Sequence, residues 1–264
     1  MIIDYLQLMT TGRRIDNRVQ EVSEMTKITA GDLHYRLLNQ EIRLSKDKDI
    51  VIENCLGQRF IGSGCIGKNI EIHGVPGNAL GAYLTQSNIT VYGNAQDATG
   101  DTMNDGTITI HGNCGDAPGY GMRDGMILIQ GNAGYRAGIH MKQYMEKVPV
   151  LVIGGKVGDF LAEYQAGGRI VVLGLGYEDI CPVGSFCGTG MHGGAIYIRT
   201  DVVPHVPAQV MVTDATDADK EEIRADVDKY TAAFGGNTDD ILSAHFFKLI
   251  PNTQNPYKQL YVNN

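Results

Sequence analysis

The chain has 264 residues, of which 34 are glycine and none is tryptophan, and its formal net charge is −8 at pH 7. An acidic chain is a poor match for nucleic acid or for an anionic membrane surface. It contains no run of about 18 apolar residues that would span a membrane. Its five cysteines form no Cys-x-x-Cys pair, so we expect a cytoplasmic protein with reduced thiols.

Residues 1–53 are predicted to form an N-terminal arm that ends in a capping helix. The stretch DLHYRLLNQEIR, residues 32–43, is typical of a short helix, and Asp32 is the candidate N-cap. We expect this helix to cover one open end of the repeat that follows, because an uncovered strand edge would pair with other strands.

Residues 54–200 carry an internal repeat of 19 residues. One glycine in each unit closes an apolar run: Gly74, Gly93, Gly112, Gly131, Gly154 and Gly174. A methionine recurs in three successive units: Met103, Met122 and Met141. The longer step before Gly154 is explained by an insertion of four residues.

The repeat predicts an all-β fold in which short strands stack directly on one another. Each unit ends in alternating β-branched residues, such as Ile127 and Ile129, which are typical of a strand with one buried face. A unit this short has no room for a helical crossover, so the strands coil into a single-stranded parallel β-helix of six to seven turns. With the insertion allowed for, Val150 and Val152 take the inward slots of those two isoleucines.

Two sets of residues stand out on this coil. Asn94, Asn113 and Asn132 share one position on three turns, which predicts an asparagine ladder with amides paired along the stack. Two insertions, QYMEKVP and a segment within LGYEDICP, lengthen turns, and in solenoids such loops often lie on the binding face. The candidate partner contacts in them are Tyr144, Met145, Tyr177 and Ile180, and plain surface loops are the alternative.

Residues 201–264 are predicted to form a helical C-terminal cap and a tail. Ile223, Val227, Tyr230 and Phe234 recur at helical spacing in residues 217–234, and the pair Gly235-Gly236 ends that helix. A second helix is expected from Thr238. Pro251 and Pro256 favour an extended tail after it.

Three kinds of site can be weighed from the residues. The glycine clusters lead into strands rather than helices, which favours a structural role over phosphate binding, with an anion nest left open. Asp97 and Asp116 share one position on adjacent turns, near the ~5 Å carboxylate separation of retaining glycoside hydrolases, but an Asx turn explains them equally. His73 and His111 are two turns apart, too far to share a metal. No catalytic, cofactor-binding or metal-ligating residue is therefore predicted.

Five arginines are spread along the chain, and they lie either on a solvated face or against an acidic partner: Arg36, Arg59, Arg123, Arg136 and Arg169.

The units GNCGDAPGYGMRDGMILIQG and VGDFLAEYQAGGRIVVLG and the ending GTGMHGGAIYIR resemble the GXGXG-repeat domain that closes the large (alpha) subunit of glutamate synthase. The whole chain is most similar to the free-standing form of that domain. Gln58 and Gln96 depart from the pattern, because they stand where other turns have glycine. The resemblance implies a right-handed β-helix in an enzyme of glutamate biosynthesis that uses glutamine, 2-oxoglutarate and a reductant.

In that enzyme the catalytic groups, the FMN and the iron–sulfur cluster belong to the amidotransferase and synthase parts. The resemblance therefore implies a non-catalytic scaffold subunit that joins those partners and binds no cofactor itself. The alternatives are a β-helical subunit of another redox complex, such as formylmethanofuran dehydrogenase, and a carbohydrate-active β-helix that uses Asp97 and Asp116. Self-association of the chain also remains open.

Overall fold

The computed structural model describes residues 25–252, which contain eleven strands and three helices. The strands are β1 (Met25–Thr29), β2 (Asp49–Leu56), β3 (Asn69–Val75), β4 (Ser87–Tyr92), β5 (Gly106–Ile110), β6 (Met126–Ile129), β7 (Val150–Ile153), β8 (Ala166–Val172), β9 (Gly193–Arg199), β10 (Val210–Asp214) and β11 (Phe246–Pro251). The helices are α1 (Tyr35–Leu44), α2 (Asp217–Phe234) and α3 (Thr238–Ser243). The protein is thus mostly β, as the repeat predicts.

All eleven strands belong to one sheet, which is mixed. Strands β1 to β9 follow chain order and pair in parallel, and then β11 and β10 complete the order with antiparallel pairing. Parallel bridges also join successive turns away from the main sheet: Ala95 to Cys114, Cys114 to Ala133, Ala133 to Val157 and Val157 to Val183. The repeat therefore stacks turn on turn as predicted. The sheet as a whole is not the uninterrupted parallel coil that was expected, because the C-terminal strand turns back against β9.

Apolar side chains stacked in columns fill the inside of the repeat. One column pairs in register as Ile70, Ile89, Ile108, Ile127, Leu151, Ile170 and Ile196. Met103, Met122 and Met141 are also completely buried in the same core. Each inward residue contacts its equivalents above and below, so the 19-residue period builds the core directly.

The prediction for β7 was wrong by one residue. Val150 pairs with Met126 and Val152 with Leu128, so Leu151 and Ile153 take the inward slots instead. A slip of one residue turns every side chain of a strand to the other face. The slip arises because Gly155, rather than Gly154, stands above the preceding asparagine in the stack.

The outward face of the sheet has two unlike halves, which we call the open half (β2 to β5) and the covered half (β6 to β9). Outward residues of the covered half pack under α2 and α3 in a second core that includes Leu128, Val152, Val171 and Tyr197. The open half instead turns Asp49, Asn69, Glu71, Asn88 and Thr90 into a shallow groove of about 530 Å³. Only the covered half is therefore buried on both faces.

The helix predictions are confirmed, with one change at α1. Helix α2 begins at Asp217 and ends at Phe234, and α3 begins at Thr238. Helix α1 is capped by His34, whose ring Nδ1 accepts from the Arg36 N–H at 3.3 Å, so the Asp32 cap was wrong. Asp32 lies instead in a tight turn, where the Leu33 N–H donates to the Ala30 carbonyl. None of the helices in residues 25–252 is long and apolar enough to cross a membrane.

Strands β1, β2, β10 and β11 were not predicted. Pro251 closes β11, whereas Pro256 and most of the N-terminal arm lie outside the described residues. The three-part division of the chain at residues 53 and 200 stays a prediction.

Candidate functional site

The asparagine column forms a ladder that joins side chain to backbone. The Asn94 Oδ1 accepts the N–H of Asn113 at 2.8 Å, and the Asn113 Oδ1 accepts the N–H of Asn132 at 2.8 Å. The Asn132 Oδ1 continues the ladder by accepting the Lys156 N–H at 2.9 Å. The position of the ladder was predicted, but the pairing of amide with amide was wrong. Each oxygen binds the backbone of the next turn because that N–H has no strand partner there.

The aspartates three positions further along form a second ladder of the same kind. The Asp97 Oδ1 accepts the Asp116 N–H at 2.9 Å, and the Asp116 Oδ1 accepts the Tyr135 N–H at 2.9 Å. Asp159 repeats the bond with the Ser185 N–H at 2.8 Å. Asp97 and Asp116 are thus brought to adjacent turns as predicted, but each carboxylate is bonded within the stack. This geometry does not favour the pair as an acid and a nucleophile toward a glycan.

These ladders explain why glycine recurs. A Cβ placed on Gly112, Gly131 or Gly155 would collide with the ladder oxygen of Asn94, Asn113 or Asn132 beneath it. In the same way, a Cβ on Gly115, Gly134 or Gly184 would collide with the oxygen of Asp97, Asp116 or Asp159. Glycine is needed there because a side-chain oxygen of one turn occupies the space where the next turn would place its Cβ. The sequence motif therefore records contact between turns.

The remaining predicted glycines have different neighbours. Gly74 and Gly93 each lie against a backbone carbonyl of the previous turn, that of Cys55 and that of Gly74 respectively. A Cβ on Gly154 would meet both the Tyr230 hydroxyl of α2 and the Gln130 carbonyl of the previous turn, so this glycine leaves room for the helix as well as for the stack. Gly174 has a φ of +56°, a conformation that glycine adopts without strain.

The backbone N–H groups of the turns are used within the stack. In one turn, Ala98, Gly100 and Thr102 all have positive φ, an alternation that could form an anion nest. Their N–H groups donate to Asp116 O, Leu80 O and Tyr120 O, which lie on the turns to either side. The stretch GNAGYRAG repeats this pattern, with the Arg136 N–H bonded to Asp159 O and the Gly138 N–H to Pro118 O. These donors are therefore not available to a phosphate.

The cysteines do not suit an iron–sulfur cluster. Burial raises the pKa of Cys55 to about 11 and that of Cys114 and Cys187 to about 12, which favours the neutral thiol over the thiolate that binds metal. Among residues 25–252, no three His, Cys, Asp or Glu side chains come together as a metal site. His73 and His111 are separated by the ring of Tyr92, which stacks between them with centroids 4.9 and 4.8 Å away. The assignment of FMN and an iron–sulfur cluster to partner chains stays a prediction.

The two insertions lie on the surface. Tyr144 and Met145 are 61% and 74% exposed at the tip of a short turn closed by Tyr144 and Lys147, and Ile180 is 50% exposed. Tyr177 is only partly exposed, because its hydroxyl accepts from the Asn132 Nδ2 at 3.0 Å and its ring lies under the Lys156 ammonium. Their role as partner contacts stays a prediction.

Sequence reasoning missed a cluster where α1 meets the first turn of the repeat. Gln58, one of the departures from the glycine pattern, is buried there and donates to the carbonyls of Gly31 and Leu33. Buried Asn39 of α1 donates to the carbonyl of Arg59 at 2.9 Å. The replacement of glycine by Gln58 was the signal in the sequence, because a polar side chain at a glycine position needs partners outside the repeat.

A family model described as the GXGXG motif matches residues 43–253, and the protein therefore belongs to the GXGXG motif family. This confirms the resemblance stated from the sequence. The uncharacterized protein MJ1350 of Methanocaldococcus jannaschii is 44% identical over 252 residues, which cover 90% of this chain and 97% of that protein.

Among solved structures, the chain is similar to one in the formyltransferase/hydrolase complex FhcABCD of Methylorubrum extorquens, determined with methylofuran. The two superpose with a TM-score of 0.62 at 20% identity, over 85% of this chain and 93% of that one. This likeness shows a shared fold.

Proposed function

We propose that the protein is a non-catalytic scaffold subunit of a multi-subunit enzyme complex, built on a right-handed parallel β-helix. The observation that carries the proposal is the double ladder of the turns. The asparagine and aspartate oxygens that would otherwise be candidates for chemistry accept backbone bonds from the next turn. A stack whose polar groups bind each other is rigid, and rigid surfaces suit the positioning of other subunits.

The parent complex that we propose is a split glutamate synthase. Membership of the GXGXG motif family supports this assignment, together with the resemblance of the repeat units to the closing domain of its large subunit. In such a complex the glutaminase and the FMN and iron–sulfur parts would be separate chains, and this chain would join them. The buried neutral thiols of this chain are consistent with that division of labour.

A second candidate is a scaffold role in a complex related to one-carbon metabolism. The observation that favours it is the fold shared with a chain of the formyltransferase/hydrolase complex. Formylmethanofuran dehydrogenase, the alternative from the sequence, is of the same general kind. The two candidates differ in the identity of the partners and not in the role of this chain.

Affinity purification of the tagged chain from its own cell, followed by mass spectrometry of the bound chains, distinguishes the candidates. We expect an amidotransferase and a flavin-containing synthase chain at equal stoichiometry. Formyltransferase or hydrolase chains would select the second candidate. A chain that purifies without partners, or that alone converts glutamine and 2-oxoglutarate to glutamate, would contradict the scaffold role.

A further inference from the structure

The junction between α1 and the first turn of the repeat brings two arginines to one tyrosine ring. The Arg59 guanidinium lies 5.0 Å from the centroid of Tyr35, and that of Arg36 lies 5.8 Å from it. The Arg36 Nε also donates to the Tyr35 hydroxyl at 3.3 Å. These contacts lower the pKa of Tyr35, most of all through the Arg36 hydrogen bond. Both arginines are exposed, so two positive charges lie beside the ring at the surface.

Neither charge is neutralised within the described chain. Four other arginines pair with carboxylates: Arg136 with Glu163, Arg169 with Asp226, Arg199 with Glu178 and Arg224 with Asp239. Among residues 25–252, Arg36 and Arg59 have no such partner. In a chain with a net charge of −8, two convergent cations without carboxylates form a local positive site on a negative molecule.

The site is held rigidly from below. Asn39, which is 5% exposed, donates from its Nδ2 to both Tyr35 O and Arg59 O, at 2.8 and 2.9 Å. Gln58, next to Arg59, binds the loop before α1 in the same manner. Two buried amides therefore fix the backbone that carries both arginines, and a preorganised cation pair binds an anion at a smaller entropic cost.

An exposed aromatic residue adjoins the two charges. Phe60 is 43% exposed, and its ring centroid lies 5.9 Å from that of Tyr35. Its φ is +62°, a conformation that is rare for a bulky residue. On the next three turns the same slot holds alanine with nearly the same φ: Ala79, Ala98 and Ala117. The turns after those hold Arg136, Phe160 and Phe186 there. The fold therefore does not require phenylalanine here, and an exposed aromatic side chain beside arginine is typical of interface hot spots.

We propose that Tyr35, Arg36, Arg59 and Phe60 form a docking site for an acidic segment of a partner protein. Carboxylates of the segment would bind the two guanidiniums, and an apolar side chain of the segment would cover Phe60. Charge complementarity favours a peptide of this composition over an uncharged one. This inference rests on the proposed function in one respect: the acidic segment would belong to another subunit of the same complex.

The direct test measures fluorescence anisotropy of a short labelled peptide of alternating glutamate and leucine, with blocked ends, against the full chain. Its matched probe has glutamine in place of every glutamate. We expect binding of the glutamate peptide that weakens with added salt, and a loss of about tenfold in affinity for the double variant Arg36→Gln/Arg59→Gln. The control variant Arg123→Gln/Lys142→Gln removes the same charge from exposed positions elsewhere and should bind within about twofold of the unchanged chain.

Four outcomes would overturn the docking site. These are equal binding of the glutamine peptide, equal binding by the two double variants, binding of inorganic phosphate with no binding of the peptide, and self-association that the Arg36→Gln/Arg59→Gln change abolishes. Unchanged urea unfolding of that variant shows that any loss of binding is not a loss of fold.

Purification of the same variants from the cell separates this inference from the proposed function. If the unchanged chain and both variants retain the same partners equally, the scaffold role stands and the docking site fails. If the unchanged chain retains no partner, the proposed function fails, and the peptide measurement alone decides the site.

Discussion

The open and covered halves of the sheet share one interior and differ in their exteriors. Strand β5 alternates Thr107 and Thr109 outward with Ile108 and Ile110 inward. Strand β6 has the same inward isoleucines but turns Met126 and Leu128 outward, under α2. A parallel strand buried on both faces loses its polar alternation. The repeat therefore specifies the inward face of the sheet, whereas the residues of the outward face depend on whether a helix covers them.

The largest effect should come from a charge placed in the covered half. Val152→Asp buries a carboxylate under α2 without a partner, and we expect it to lower the free energy of unfolding by about 4 kcal/mol. Thr109→Asp, at the matching outward position of the open half, should change it by less than about 1 kcal/mol. Urea unfolding of both variants measures the difference. Equal losses would show that the two halves are not differently buried.

The ion pair that fixes α2 should have the next largest effect. The Asp226 carboxylate is buried and accepts from Arg169 Nε and Nη2 at 2.8 and 3.2 Å, which holds the pKa of Arg169 above its usual range. Asp226→Ala leaves that cation unpaired beneath the helix, and we expect a loss of about 3 kcal/mol.

The double change Asp226→Ala/Arg169→Met should recover much of that stability, because it removes the unpaired charge. The control is Asp239→Ala, which breaks the exposed Arg224 pair and should leave the urea midpoint nearly unchanged. If the double variant is no more stable than Asp226→Ala, an unpaired charge does not explain the loss.

The turns should respond alike in both halves. Gly112→Ala follows β5 of the open half, Gly131→Ala follows β6 of the covered half, and each new Cβ would collide with an asparagine oxygen below. We expect each change to cost about 2 kcal/mol in urea unfolding. The double variants Gly112→Ala/Asn94→Ala and Gly131→Ala/Asn113→Ala should each lose less stability than the sum of their two single changes, because the second change removes the oxygen with which the new Cβ collides. Full additivity would argue against the collision.

The smallest effect is an acid sensitivity confined to the covered half. Asp219 at the start of α2 has its pKa lowered from 3.8 to about 2, because it accepts hydrogen bonds from Lys248 and Thr216. A lowered pKa stabilises the fold above pH 3.8, and this contribution disappears as the pH falls from 3.8 toward 2.

Acid unfolding of Asp219→Asn should therefore show a flatter loss of stability between about pH 5 and pH 2 than the unchanged chain. The same slope in Asp219→Asn would exclude this carboxylate as the source of acid sensitivity.

The sequence allowed the inner stack to be predicted, because a fixed period forces equivalent residues above one another. It failed at β7, where the run VLVI has no polar alternation to show which residues face inward. The fixed period also predicted the asparagine column. It did not predict that each asparagine oxygen accepts a backbone N–H, because that depends on the geometry of the turn.

Contacts between distant segments left no periodic signal. The Tyr230 hydroxyl of α2 reaches the Gln130 carbonyl, and β11 inserts beside β9, yet neither segment repeats anything in the chain. Arg36 and Arg59 lie 23 residues apart in the sequence, in α1 and in the first turn of the repeat, so no local pattern brings them together. Only Gln58, at a position where other turns have glycine, marked the junction between the helix and that turn.

If this chain functions as one subunit among others, native mass spectrometry of the tagged chain from its own cell will detect it bound to them. We expect a defined assembly that contains the 28.7 kDa chain together with different, catalytic chains. A free 28.7 kDa species, or only multiples of that mass, would contradict it.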